Sequence, residues 1–345
     1  MVKDIDYKDL DGKYVLVDLR SPKEHEEYTI PGSVNVPILD NKEREEVGTV
    51  YVNESVKKAK RMGVEAVSNK LPQIYDKILE LEKQYGKIVF FCARGGLRSS
   101  VLTMLMMSLG VKACKLKGGY KGYRAFINSE LPKVNEKVNY IVVHGNTGLG
   151  KTRILKKLEK EGFEVLDLEG YANHRGSLLG SVGIGKCNSQ KQFESSVYEK
   201  LKNLKSNYVF VEGESKRIGR ILIPDSIYNN MKSGKHILIR GDIDYRAKII
   251  VEEYTKCENC QEQIIESLYK LERYVNHDRI EKYVEMVKNQ MFSEVAKELM
   301  IKYYDPMYKN GEKKYEYDLT LNIDNINEAC DSIIKWSEKN SINRS

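Results

Sequence analysis

The stretch "NYIVVHGNTGLGKTRILKKL", residues 139–158, limits the fold of this chain more than any other. An apolar run of strand character leads into Gly145, Asn146, Thr147, Gly148, Leu149, Gly150, Lys151 and Thr152, and a helical pattern follows. Glycines at this spacing let successive backbone amides wrap a phosphate chain at a helix N-terminus. Lys151 neutralises that chain, and Thr152 can ligate Mg²⁺. A loop joining a buried strand to a helix in this way implies an α/β architecture with a parallel sheet. The motif identifies a phosphate chain as ligand and leaves open whether that chain is ATP.

Further strands are predicted at "FEVLDLEG", "NYVFVEGES" and "HILIRGD". The second of these ends in Glu212 and Glu214, where a P-loop fold usually carries aspartate, which argues against routine ATP hydrolysis. From Thr255 to Lys302 the pattern is helical, charged and free of proline. Upstream, "KYVLVDLR" and "KIVFFC" read as strands, and "RSSVLTMLMMSLG" as a helix ending at Gly110. "ACKLKGGYKGYRAF" then reads as a strand, a glycine turn and a helix. At 345 residues the chain is long for one domain. The polar stretch "LPKVNEKV" marks the division, predicting domains at 1–133 and 134–345, the second with a helical segment at about 255–302.

The first domain has a site of its own. "KIVFFCARGGLRSS" runs a buried strand into Cys92, then Arg94, Gly95, Gly96 and Arg98, then a helix. Amides converging at a helix N-terminus bind an anion and lower a thiol's pKa, and Arg98 can add a charged fork. Such a cysteine can bind an anion, attack a phosphorus or carry a sulfur-group atom. The loop alone does not choose among these.

Bulk properties narrow the setting. The net charge of +7 suits a nucleic-acid or phosphate partner, and equally a lysine-rich surface kept for solubility. No apolar run reaches the roughly 18 residues of a membrane span, and the N-terminus has no signal-peptide pattern. Six scattered cysteines in a chain this long are no disulfide framework. A reducing, cytoplasmic setting without membrane contact is expected.

The segment "VLVDLRSPKEHEEYTIPGSVNVP" resembles the opening of a rhodanese domain, with Asp18, Arg20, Glu24, Ile30-Pro31-Gly32 and Asn35 in place. Cys92 then falls at the persulfide position, and "LKGGY" at 116–120 resembles that fold's later glycine turn. Common sulfurtransferase loops place arginine five residues after the cysteine, whereas Arg98 lies six after Cys92. That wider spacing is shared with phosphatases and fits a tetrahedral phosphate, although Phe91 stands where phosphatases carry histidine. Adding the P-loop, "DLEGYANHRGSLLG", "VEGESKRIG" and "YYDPMY", almost the whole chain resembles the tRNA 2-selenouridine synthases.

The resemblance implies two-stage chemistry on the wobble uridine of certain tRNAs. Geranyl diphosphate first alkylates the 2-thio group, and selenium from selenophosphate then replaces the geranylthio group. Cys92 matches the family's essential cysteine and is expected to take up selenium as a selenosulfide; residues 145–152 match its P-loop. The resemblance implies tRNA bearing 2-thiouridine as partner; no tightly bound cofactor and no dedicated metal site are expected, although Mg²⁺ could join the P-loop, and no obligate protein partner is inferred. Relatives often show Asp where this chain has Gly213. Two other readings stand beside this one: a P-loop kinase or NTPase fused to a phosphatase-like rhodanese domain, and a non-catalytic sulfur carrier or tRNA-binding adaptor.

Several residues carry two readings each. Arg175, Arg217 and Arg246 could contact diphosphate or tRNA phosphates, or serve the surface. His174 could be an acid or base, or a structural hydrogen-bonding residue. Tyr303, Tyr304 and Asp305 of "YYDPMY" could stack a flipped base or close a packed turn. Apolar residues in "GSLLGSVGIG", 176–185, are expected to form a groove for the prenyl tail. Cys257 and Cys260 have metal-ligand spacing but no second pair, so no zinc is expected there; Cys114, Cys187 and Cys330 read as ordinary thiols.

Overall fold

The computed structural model describes residues 3–307 except 178 and 181, and residues 314–344 except 343. The first sheet comprises β1 (Asp4–Ile5), β2 (Val15–Asp18), β3 (Val34–Asn35), β4 (Ile88–Phe91) and β5 (Ala113–Leu116). Their spatial order is β1-β5-β4-β2-β3, with every pair parallel. The predicted strands β2 and β4 are central and buried at every position, as strands covered on both faces must be. Leu102 and Met106 of helix Leu97–Ser108 and Ile74, Ile78 and Leu81 of helix Leu71–Tyr85 join Val15, Val17, Ile88 and Phe90 in one core. Each such side chain contributes about 1.5–3 kcal/mol through burial.

The second sheet comprises β6 (Asn139–His144), β7 (Val165–Leu166), β8 (Tyr208–Glu212), β11 (Lys235–Arg240) and β12 (Leu319–Asn322). Its order is β12-β11-β6-β8-β7, again all parallel; β9 (Arg217–Ile218) and β10 (Ile221–Leu222) form a separate antiparallel pair. Helix Lys151–Lys160 lays Ile154, Leu155 and Leu158 into the core beside Ala329, Cys330 and Ile333 of helix Ile326–Lys339. The P-loop is thereby anchored on both sides, by a central strand and by a helix with a fully apolar inner face.

The chain divides into compact units at Met1–Leu131 and Pro132–Ser345. Within "LPKVNEKV", residues 131–135 form the last turn of helix Gly119–Asn135. Asn135 is buried: its side chain donates to the Ser226 carbonyl and accepts from the Tyr140 hydroxyl.

The helical segment contains helices Cys260–Lys270, His277–Lys288 and Phe292–Leu299, and a π-turn at Met300–Tyr304. They have their own core, which includes Ile264, Leu268, Ile280, Tyr283, Val284 and Leu299. Among the described residues, no helix is long and apolar enough to cross a membrane.

Candidate active sites

In the first unit Cys92 directly follows β4, and residues 93–96 turn into the helix that begins at Leu97. Gly96 is the N-cap of that helix and brings no side chain to its first amides. The glycine turn at 118–119 braces the loop from behind. The Tyr120 amide donates to the Cys92 carbonyl and the Lys121 amide to the Ala93 carbonyl, both at 2.9 Å. Gly119 has φ +55°, and a Cβ there would run into the Cys92 carbonyl and the Gly95 amide.

Cys92 is a free, buried thiol whose Sγ lies 3.2 Å from Ser99 Oγ. Burial works against its thiolate. The Ser99 hydroxyl and amide, the Arg98 charge and the Arg94 amide outweigh it and hold the pKa below the ordinary thiol value. Cys114, also buried but without such donors, is pushed up. Arg98 is part-buried and donates to Glu24 Oε2 at 2.9 Å, while the Arg94 side chain is exposed. Glu24 also faces Arg44 at 3.4 Å. Its burial would raise its pKa, but the Arg98 bond and charge bring it below the usual carboxylate range. Sequence reasoning overlooked Ser99 as the thiolate's donor, although its place seven residues after the cysteine, one turn into a helix, was readable. The rhodanese-like Asp18 and Arg20 form a buried bidentate pair, with Arg20 Nη2 at 2.6 Å from Asp18 Oδ2, and the same Nη2 donates to the Tyr28 carbonyl at 2.7 Å.

In the second unit the P-loop spans the gap between β6 and helix Lys151–Lys160. Gly148 takes φ +86° and passes so close to helix Ile243–Tyr254 that a Cβ would sit 2.7 Å from the Arg246 carbonyl. Lys151 Nζ donates to the Gly145 carbonyl at 2.9 Å, arching over the loop it would share with a phosphate chain. Leu149 is buried in the core, and Asn146 and Thr147 stand at the loop's rim.

Glu212 ends β8, Glu214 follows two residues later, and Glu169 arrives from the short helix Leu168–Ala172. One carboxylate oxygen from each lies within 4.8 Å of the others. Thr152 Oγ1 is 3.5 Å from Glu169 Oε2. Burial, reinforced by the Glu212 and Glu214 charges, pushes Glu169 up to about 10. Burial likewise takes Glu212 to about 7, against the pull of Lys151, and raises Glu214. The sequence placed Glu169 in a recognisable segment but supplied no reason to group it with Glu212 and Glu214.

A cleft of about 430 Å³ adjoins Thr152 and Glu169 and is also lined by Arg153, Lys156, His174, Arg175, Ile184 and Lys256. His174 Nδ1 accepts from the Gly176 amide at 3.1 Å, which leaves Nε2 to carry the proton of the neutral ring. Burial lowers its pKa. Arg175 donates to the Val182 carbonyl at 2.6 Å and lies 4.8 Å above the Tyr254 ring. Arg217 is exposed on β9.

Other expectations need correction. The apolar groove foreseen at 176–185 is not built as such: Val182 and Leu179 pack into the helical core, and Ile184 faces the cleft. Leu178 and Ser181 of that segment, and Tyr308 of "YYDPMY", lie outside the described residues. Arg246 and Asp305 are committed to each other, with Nη1 and Nη2 at 2.8 and 2.6 Å from the two carboxylate oxygens, and Arg246 Nε donates to the Thr147 carbonyl at 2.9 Å. Tyr304 is buried in the helical core and Tyr303 packs edge-on against it. Cys257 and Cys260 are joined as a disulfide; their Cα atoms, 5.1 Å apart, are within bonding reach.

One parallel α/β unit with a thiol in an anion-cradling loop, and a second with a P-loop beside buried carboxylates, define a fused rhodanese-like and P-loop protein. Residues 5–126 match the rhodanese-like domain, and residues 138–341 match the tRNA 2-selenouridine synthase AAA domain. The chain belongs to the tRNA 2-selenouridine synthase family. Relatives bearing that name include one from Nitrosomonas europaea, 32% identical over 260 residues that cover 73% of this chain and 67% of the relative. One from Nitrosomonas eutropha is 34% identical, covering 69% of this chain and 62% of the relative. One from a Shewanella species is 29% identical over 341 residues, covering 90% of each.

Proposed function

We propose that this chain makes 2-selenouridine at the wobble position of tRNA in two steps, one at each site. In the first, the sulfur of 2-thiouridine attacks the allylic carbon of geranyl diphosphate. A C–S bond forms, the C–O bond breaks, diphosphate leaves and the N3 proton is lost. The P-loop amides and Lys151 suit this step, because charge grows on the departing diphosphate. The adjoining cleft, with His174, Arg175 and Ile184, is the candidate seat of the reacting nucleoside. The basic balance of the chain favours a polyanionic partner.

In the second step selenium replaces the geranylthio group, which leaves more readily than an unalkylated thiocarbonyl sulfur. The observation that carries this reading is Cys92, a buried thiol held toward thiolate by Ser99, Arg98 and the loop amides. Selenophosphate holds selenium at the selenide level. Moving it onto Cys92 as a selenosulfide would expel phosphorus two electrons richer than phosphate. Attack of the Cys92 thiolate on phosphorus balances instead: an S–P bond forms, selenide is released, and water later frees phosphate. The phosphatase-like spacing of Cys92 and Arg98 favours that route. The released selenide adds at C2 of the uracil ring and expels geranylthiolate.

The test is nucleoside mass spectrometry of 2-thiouridine tRNA incubated with geranyl diphosphate, with and without selenophosphate. S-geranyl nucleoside is expected from the first mixture and 2-selenouridine from the second. An unchanged nucleoside, or ATP consumed in step with product, refutes the reading. Peptide mass spectrometry of a quenched reaction distinguishes phosphorus on Cys92 from selenium on Cys92.

A further inference from the structure

Three carboxyl groups meet in one place beside the P-loop, with Glu212 buried and the other two half-buried. Glu169, Glu212 and Glu214 come from separate turns of the chain, yet their oxygens lie within 4.8 Å of one another. Glu212 is 3% exposed, and among the described residues its Oε1 has no hydrogen-bond partner. A buried carboxylate oxygen left unpaired is costly and rare, so it points to a missing partner. That partner must be a donor or a cation.

We propose that Glu169, Glu212 and Glu214 form a site for one divalent cation, magnesium or manganese, held directly by carboxylate oxygens. The donor set is oxygen only, which selects hard cations over zinc or copper. Oxygens on one octahedral magnesium, about 2.1 Å from the metal, lie roughly 3.0–4.2 Å from each other. The observed spacing of up to 4.8 Å therefore needs only a small inward rotation of side chains. Gly176 closes the site from above, where a Cβ would sit 2.6 Å from Glu214 Oε2 and 3.1 Å from Glu169 Oε1. Thr152 Oγ1, next to Glu169, can add a neutral ligand. The site needs no phosphate ligand to assemble, so the ion binds the unliganded protein, and the inference does not depend on which diphosphate the P-loop takes.

The experiment uses the full chain stripped with EDTA, without tRNA or prenyl diphosphate. Manganese binding is followed by electron paramagnetic resonance and calorimetry, and magnesium by thermal unfolding. One Mn²⁺ per chain is expected, and Mg²⁺ at a hundred times its dissociation constant should raise Tm by roughly 5–10 °C. Glu169→Gln and Glu212→Gln should each weaken Mn²⁺ at least tenfold and abolish the magnesium shift. Both variants should unfold no earlier than wild type in EDTA, since each replaces an acid that is costly to bury ionised with a neutral amide of the same shape. Lys151→Ala should bind Mn²⁺ at least as tightly as wild type. If a glutamine variant fails to fold, Glu169→Asp, which keeps the charge and shortens the reach, must still weaken Mn²⁺ at least fivefold. Equal Mn²⁺ affinity in wild type and the Glu169→Gln/Glu212→Gln double variant, or no binding to wild type at millimolar metal, overturns the proposal.

Discussion

Removing the Arg246 guanidinium should cost the second unit much of its stability. Arg246 is 5% exposed on helix Ile243–Tyr254, and it clamps both oxygens of Asp305 while its Nε holds the Thr147 carbonyl of the P-loop. Truncation to alanine strands the Asp305 carboxylate, and breaking a buried pair from one side typically costs about 3–5 kcal/mol. The Asp305 side chain is 21% exposed, so water can reach it and the lower end applies, about 3 kcal/mol. The lost hydrogen bond to Thr147 adds about 0.5–1.5 kcal/mol. For a unit of this size, a total of about 3.5–4.5 kcal/mol lowers Tm by roughly 7–18 °C. Calorimetry of Arg246→Ala, Asp305→Ala and the double variant measures both the loss and the coupling. The double variant should lose little more than either single, with a coupling of at least about 1.5 kcal/mol. Arg246→Lys should not rescue, because one ammonium cannot span two carboxylate oxygens and a carbonyl. A loss below about 1 kcal/mol, or additive singles, would show that Arg246 is not committed to this clasp and is available to a ligand.

The Cys92 thiolate should grow in as pH rises through a midpoint below that of an ordinary thiol, so alkylation by iodoacetamide should stay fast at pH values where Cys114 is inert. Ser99→Ala should move that midpoint upward; an unchanged profile would remove Ser99 from the account. Cys92→Ala should leave S-geranyl tRNA forming and accumulating while 2-selenouridine disappears, as read by nucleoside mass spectrometry. Lys151→Ala should block geranylation yet leave selenation of pre-made S-geranyl tRNA largely intact, and normal geranylation by that variant would refute the P-loop assignment. Affinity for tRNA should fall steeply between low and physiological salt, because each neutralised phosphate releases counterions; a flat salt dependence in filter binding would contradict the electrostatic reading.

Much of this molecule was legible because its signals are local. A strand, a glycine-rich turn and a helix are contiguous at residues 139–158, and again at 87–108, so backbone conformation and anion chemistry follow from neighbours in the chain. The central strands β2, β4, β6, β8 and β11 carry unbroken apolar runs that only a doubly covered sheet can bury. β1 and β3 are two residues long, too short for any periodicity, whereas β7, equally short, lies within the predicted strand "FEVLDLEG". β12 joins β11 from some eighty residues away, through pairing that no local pattern encodes.

The same distinction holds at the sites. Cys92, Arg98 and residues 145–152 could be named from spacing, because the amides and charges that act there lie within one turn of chain. The meeting of Glu169 with Glu212 and Glu214 could not, nor the commitment of Arg246 to Asp305, fifty-nine positions apart. The residues of 176–185 looked like a tail groove because they are apolar, but Val182 is buried among helices that begin eighty residues later. Composition shows that an apolar or charged side chain must find a partner. Which partner it finds depends on what folding brings within a few ångströms, where burial removes water and makes an unpaired charge or an uncovered methyl group expensive.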